Sequence, residues 1–333
     1  MYCQEVGTIN DGIEEETINM VHLVKKSFYF IQKFGIMHGF RIIWWGILNK
    51  LPQAIGRPIL FRKFKKVQEQ IYTIIKNEIE SFKLEKNESV YDSSKGTIWV
   101  CWLQGEDHMP EVCRICLNAL RKNANGHEVV LLTLENYMHY CYIPSYIVDN
   151  YKRGGIIHAH FADIMRTCLL YEQGGAWIDA TLLSTRSLPE VLFTSVFYSC
   201  RFPPKRYFIE DGRWQNYFLC ATPHSPMFQF VRMCFFEYLK KGIPFADYFM
   251  MNYFMKIGYD IVPEILHAID ALPYNNQETW NLEPRLNQPC SEKEFDGIMK
   301  SDTLLFKLSY KNPLSEKVNG HPTLYGRIKM HFG

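Results

Sequence analysis

The apolar positions Phe161, Ile164, Met165, Cys168 and Leu169 recur at intervals of three and four, the period of one face of an α-helix. A helix running from His158 to the glycines therefore sets Asp163 and Arg166, three residues apart, side by side on another face. Gly174-Gly175 supplies residues suited to the left-handed conformation that ends a helix. Ala176-Trp177-Ile178 then reads as a short buried strand that delivers Asp179 into the following loop. The stretch 158–181 thus brings two carboxylates and an arginine toward one place, and the rest of the chain reads as scaffold around it.

Upstream, 97–104 is a short apolar run suited to a central strand, 110–122 has helical periodicity, and 128–134 is a second strand. Strand, helix, strand is the start of a right-handed parallel α/β sheet, whose ligands gather beyond the carboxyl ends of the strands. Trp102 and Gln104 fall there, whereas Trp99 reads as core. Residues 137–152 form a short helical connection. Downstream, 191–200 reads as a strand, 214–222 as a strand entering a loop, and 226–241 as a packed helix, with a further helix opening at Asp247. The segment 275–333 is loop-rich, with 306–311 its recognisable part.

Ahead of all this, 1–17 is an acidic, polar tail without the features of a secretory signal. Residues 18–60 interleave Lys25, Lys26, Lys33 and Arg41 with Phe28, Phe30, Phe34, Trp44 and Trp45, and contain no uninterrupted run able to span a bilayer. Two readings stay open: a basic, aromatic helix lying on a membrane surface, and an amphipathic helix packed on the following domain. In 61–86, Val67, Ile71, Ile74, Ile75 and Ile79 share one side of a helix. The expected organisation is a tail (1–17), a helical extension (18–96) and a catalytic domain (97–333).

The formal net charge of the 333 residues is +2, so no global field argues for nucleic acid, and an anionic ligand must be held locally. The ten cysteines lack the spacing of a disulfide framework, which fits reduced thiols in a cytoplasmic protein. Cys113-x-x-Cys116 has no second pair at zinc-site spacing and reads as ordinary helix packing. His158 and His160 have a polar role at the start of their helix, with a phosphate contact as the alternative. Arg201, Lys205 and Arg206 crowd a Pro-Pro turn, either as a solvated loop or as a phosphate contact.

Asp163-x-x-Arg166 followed by Leu170-Tyr171-Glu172-x-Gly174-Gly175-x-Trp177-x-Asp179 resembles the capsular polysaccharide synthesis glycosyltransferases. These are related to the DXD-type sugar transferases that include yeast mannosyltransferases and clostridial glucosylating toxins. The resemblance runs from about Ile98 to about Lys311 and covers little of the first hundred residues. It implies a GT-A-like α/β fold, a nucleotide-sugar donor (a UDP-sugar first), a lipid-linked glycan acceptor and retention of anomeric configuration. It places the enzyme in the cytoplasm, peripheral to the membrane.

By that resemblance Asp163 binds the ribose or the transferred sugar, Arg166 contacts donor hydroxyls or phosphate, and Asp179 anchors nucleotide and metal. Trp102 becomes a stacking platform for the base, with Gln104, Gly175 and Lys311 completing the donor-binding set. Asp247 lies toward the acceptor, against the simpler reading of a helix cap. Lys307 or Lys311 is a candidate phosphate clamp, against ordinary surface lysines. The expected cofactor is Mn²⁺ or Mg²⁺ at Asp179 and Thr181, although Asp179-Ala180-Thr181 puts a neutral hydroxyl where the family's Asp-x-Asp has its second acid. No second carboxylate suggests itself as an inverting base. Two other functions stay open: a toxin-like protein glycosyltransferase, and a carbohydrate-binding scaffold with a degenerate site.

Overall fold

The computed structural model describes residues 53–85, 91–204 and 208–333, with side chains from 59 onward in the first of these. The chain divides into two compact units, Met1–Lys66 and Val67–Gly333. The first is described only from the start of helix α1, Gln53–Ile74. The tail 1–17, the part of the membrane-contact stretch up to residue 52, and Lys205 and Arg206 lie outside the described residues.

Within the second unit the helical pattern of the isoleucines holds: Val67, Ile71, Ile75 and Ile79 are buried, and Ile74 is half-buried. The helix breaks at Ile75 and resumes as α2, Lys76–Glu80. It stops six residues short of the expected Lys86, before Ser81, whose N–H and hydroxyl both donate to the Asn77 carbonyl, at 3.0 and 2.7 Å.

Next come β1 (Ile98–Cys101), α3 (Glu111–Lys122) and β2 (Val129–Leu132), the expected strand–helix–strand unit. Then follow α4 (Ser145–Lys152), α5 (His158–Glu172), β3 (Gly175–Ile178) and β4 (Leu182–Ser184). The order continues α6 (Val191–Thr194), β5 (Tyr198–Ser199), β6 (Phe218–Ala221), α7 (Pro226–Lys240), α8 (Met250–Ile261) and α9 (Pro263–Asp270). The last part holds α10 (Glu292–Met299), β7 (Leu305–Lys307), β8 (Lys317–Val318), β9 (His321–Pro322) and α11 (Leu324–Phe332).

The fold is mixed α/β, built on a five-stranded sheet of order β2-β1-β3-β6-β5 flanked by helices. β2, β1 and β3 are parallel to one another, and β6 runs against β3 and β5. Four of the five strands therefore share one direction. The carboxyl ends of β1 and β3 meet the start of β6, because Ile178 pairs with Phe218. Both faces of the sheet are covered, which lets strands of only four residues persist: Ile98, Val100, Ala176, Ile178 and Leu219 are fully buried. Each large aliphatic among them contributes about 1.5–3 kcal/mol of burial. Every described cysteine is a free thiol, and Cys113 and Cys116 are buried in the core, as their helical setting suggested.

Two elements differ from expectation. The run 191–200 is not one strand but a helical turn followed by the two-residue β5. Pro189 and Glu190 offer their carbonyls to Leu192 and Phe193, so adjacent Leu192 and Phe193 are buried while Val191 and Val196 face out. The loop-rich end also holds a helix that completes the core. In α11, Leu324, Tyr325, Ile328 and Phe332 are buried at helical spacing, and Thr323 caps the start by accepting the Gly326 N–H at 3.0 Å.

Between α5 and β3 the chain turns where no side chain fits. Gly174 and Gly175 have φ of +68° and +92°, and a Cβ on Gly175 would lie 2.2 Å from the Thr97 carbonyl oxygen. That carbonyl accepts the Ala176 N–H at 2.9 Å, so the glycine is what allows β3 to seat against β1. Gly175→Ala should cost at least about 3 kcal/mol, combining left-handed strain with a backbone clash. Urea unfolding of the variant beside wild type measures this, and a loss below about 1 kcal/mol would contradict the account.

Candidate active site

Helix α5 is buried almost all the way round, from His160 to Tyr171, with Asp163 half-buried in the middle. Arg166 donates to the Asp163 carboxylate at 2.9 Å, and the two side chains are only 9% and 15% exposed, so this is no solvated surface pair. The other arm of the guanidinium donates to the Asn216 carbonyl, just ahead of β6. Its central carbon lies over the Trp177 ring, 4.9 Å from the ring centre.

Strand periodicity explains why Trp177 and Asp179 work together. Residues two apart share a face, so Ala176 and Ile178 go to the hydrophobic core, and Trp177 and Asp179 turn to the other side. The Trp177 indole N–H donates to Asp179 Oδ1 at 3.0 Å, and Lys307 Nζ donates to Asp179 Oδ2 at 3.0 Å. The backbone of Asp179 is held as well, its N–H donating to the Tyr217 carbonyl at 2.9 Å. Trp177 thus positions the arginine with its ring face and the carboxylate with its edge.

Electrostatically the two carboxylates diverge. Burial pushes Asp163 up to about 6 against the lowering effect of Arg166, and the nearby Asp179 charge adds to the rise. Burial would raise Asp179 too, but Lys307 and Arg166 outweigh it and hold that carboxyl below its ordinary range. The cluster of Asp163, Arg166, Asp179 and Lys307 sets two acidic side chains against two basic ones. Two buried polar atoms beside it, Arg166 Nε and Asn216 Oδ1, have no hydrogen-bond partner among the described residues.

An aromatic rim stands around this cluster. Trp102 follows β1, donates its indole N–H to the His108 carbonyl at 3.2 Å, and meets Tyr310 edge-to-face at 5.7 Å between ring centres. Tyr310 is 45% and Tyr248 50% exposed, leaving aromatic surface open beside the charges. The Tyr248 hydroxyl is pushed up to about 12 by burial, by Asp163 and by Asp179, with Arg166 opposing. Half of Tyr248 is exposed, yet its hydroxyl belongs to the sheltered side of the cluster.

Of the residues singled out from sequence, Asp163, Arg166 and Asp179 come together and Trp102 stands on the rim, whereas Gly175 opens β3 against Thr97 and Trp99, at the opposite end of the strand from Asp179. Gln104 is exposed on the loop after β1. Lys311 lies exposed after Tyr310, its N–H donating to Ser309 Oγ, and Lys307 is the lysine that reaches Asp179. Asp247 sits in the turn before α8 rather than in the helix, where Oδ1 accepts the Phe249 N–H at 3.2 Å. His160 is buried, its Nε2 lies 3.0 Å from the Tyr248 carbonyl, and burial lowers its pKa to about 4. His158 pairs with the Tyr151 hydroxyl at 2.6 Å.

Sequence reading missed Asn216, Tyr217, Tyr248 and Tyr310, which arrive from loops with no periodic signal. It also missed Glu210, in the loop ahead of β6. The Glu210 carboxylate accepts the Asn252 side-chain N–H at 3.2 Å, and burial raises its pKa to about 7. Residues 210 and 211 are both acidic, but nothing in that local pattern announces that one of them is sheltered.

The expected metal pair fares differently from the rest of the cluster. Thr181 engages through its carbonyl, which accepts the Leu308 N–H at 2.9 Å. Both carboxylate oxygens of Asp179 already hold donors, one of them cationic. Among the described residues no three or more His, Cys, Asp or Glu side chains are gathered to hold a metal ion. This donor set does not fit a resident divalent cation.

A family model of capsular polysaccharide synthesis proteins matches residues 49–328. The chain belongs to that family. The match spans the sheet, the charged cluster, the aromatic rim and most of α11, and it ties this member to capsule biosynthesis. No curated protein gives a significant match. Among the described residues, no helix is long and apolar enough to cross a membrane.

The raised Asp163 pKa has a measurable consequence. The folded state holds this proton more tightly than the unfolded chain, whose carboxyl titrates near 3.8. The resulting stabilisation is complete below that value and is lost as pH rises through about 6. Asp163→Asn, which cannot ionise, should therefore gain in melting temperature relative to wild type between about pH 4 and about pH 6.5, and run parallel to it above that. Parallel melting curves across that range would show that Asp163 does not titrate there.

Proposed function

We propose that this protein is a glycosyltransferase that moves a sugar from a nucleotide-sugar, a UDP-sugar first, to a lipid-linked surface-polysaccharide acceptor with retention of configuration. The observation that carries this reading is the sheltered cluster at the carboxyl ends of β1 and β3, in which Arg166 Nε and Asn216 Oδ1 await partners. A sugar or ribose hydroxyl both donates and accepts, so it can answer either a lone N–H or a lone carbonyl. The family's role in capsule synthesis supports a glycan as the material handled.

In this reading Trp102 and Tyr310 receive the base, Asp163 and Asp179 accept from donor hydroxyls, and Arg166 and Lys307 face the diphosphate. The bond between the anomeric carbon and the diphosphate oxygen breaks with its electron pair staying on that oxygen. The acceptor oxygen forms the new bond to the anomeric carbon, and its proton passes to the departing phosphate. Cations already in position cost no reorganisation as the charge develops. Asp247 and Tyr248 lie toward the acceptor, a glycan carried on a membrane lipid.

A panel of UDP-sugars and GDP-mannose tests the reading through nucleotide release by purified protein. Wild type should release nucleotide from one donor, and Asp179→Ala should reduce the rate by about 10²-fold or more. Trp102→Ala should raise KM for that donor by about 5- to 100-fold, the range expected for losing one base stack, with a smaller change in kcat. Tight sugar binding without turnover of any donor would favour a carbohydrate-binding scaffold instead.

A further inference from the structure

DXD-type chemistry, as the resemblance implies it, places a divalent ion between an acidic pair and the diphosphate. This chain has Asp179-Ala180-Thr181 and, 3.0 Å from Asp179 Oδ2, the ammonium of Lys307. An ion such as Mg²⁺ demands near-octahedral oxygen coordination, whereas here one carboxylate oxygen accepts an indole N–H and the other faces a positive charge.

Lys307 is also unusually well placed for a lysine. It sits on β7 opposite Leu182 of β4, the strand that begins three residues after Asp179. Its N–H donates to the Thr279 carbonyl at 2.7 Å, and the next residue, Leu308, donates to the Thr181 carbonyl at 2.9 Å. The side chain is 17% exposed, and its Nζ lies 5.0 Å from the centre of the Tyr217 ring. An ammonium has three N–H donors; with one on Asp179, others can serve a phosphate oxygen.

We propose that Lys307 supplies, beside Asp179, the positive charge that a divalent ion supplies in DXD-type transferases, so that this protein binds and releases the donor diphosphate without metal. The proposal rests on the glycosyl-transfer reading above. Lys307 keeps its proton throughout: the electron pair of the broken anomeric bond stays on the diphosphate oxygen, which Lys307 and Arg166 stabilise by charge. The acceptor's proton leaves on the phosphate as before.

The test uses the full chain, stripped with EDTA, in two arms. Calorimetry with UDP and GDP reads diphosphate binding, and the donor panel reads nucleotide release, each with EDTA and with added Mn²⁺ or Mg²⁺. Wild type should bind one nucleotide and turn over its donor in EDTA to within about threefold of the values with metal. Lys307→Met should weaken nucleotide binding by about 10- to 100-fold and slow release by about 10²- to 10³-fold. Lys307→Arg, which keeps the charge, should retain most of both, and melting curves of the two variants separate loss of charge from loss of fold.

Binding or release by wild type that appears only when metal is added overturns the proposal. Equal binding by wild type and a folded Lys307→Met variant also overturns it. Nucleotide binding in EDTA that depends on Lys307, with no donor turned over under any condition, supports the charge assignment while the transfer reading falls. Binding of neither nucleotide, with or without metal, removes both.

Discussion

A guanidinium cannot shed its charge, so burying Arg166 obliges everything near it to answer that charge. Asp163 answers from one helical turn away, the Asn216 carbonyl from the loop ahead of β6, and the Trp177 ring from beneath. Each answer constrains a different element: α5 must present two residues three apart, β6 must begin beside the end of β3, and β3 must carry an aromatic residue at that height. Leaving such a group without its partner in the interior costs about 3–5 kcal/mol, a large share of what holds a domain together. The alignment of helix, strand and loop is therefore enforced by one ion as much as by the hydrophobic core.

The same economy appears at Asp179. Trp177 serves the arginine with its face and the carboxylate with its edge, while Lys307 closes the other carboxylate oxygen. The two acids then part company: Asp163 holds its proton into the mildly acidic range, whereas Asp179 stays ionised. Pairs of like groups whose surroundings drive their protonation apart are characteristic of sites built for chemistry.

What was legible in the sequence was what is local. The helical spacing in α5, the paired glycines and the two-residue alternation through Trp177 and Asp179 are short-range signals, and they located the helix, the turn and the strand. The strand–helix–strand order announced parallel pairing between β1 and β2. What escapes depends on distant chain segments: the sequence offers Lys307 as a phosphate clamp but not its pairing with Asp179, 128 residues away, and Tyr310 arrives on the same segment. The stretch 191–200 misled for a related reason. Its apolar composition suits a strand, but the hydrogen bonds started by Pro189 and Glu190 turn the chain before it can extend. Glu210 shows the limit most plainly, since its unusual acidity comes from burial, which no neighbour in sequence reveals.

That distance along the chain also sets an order of events during synthesis. Ile98 through Asp179 can form strands and helix as soon as they emerge, but the cation that neutralises Asp179 is on β7. Until residue 307 is free to pair with β4, the carboxylate has no lysine, and β4 has no partner strand. Pairings this far apart form slowly, because the intervening loop must be closed before any contact offsets its entropy. The charged cluster is thus completed late in folding, and a nascent chain that stops before residue 307 would carry the motif without its cation.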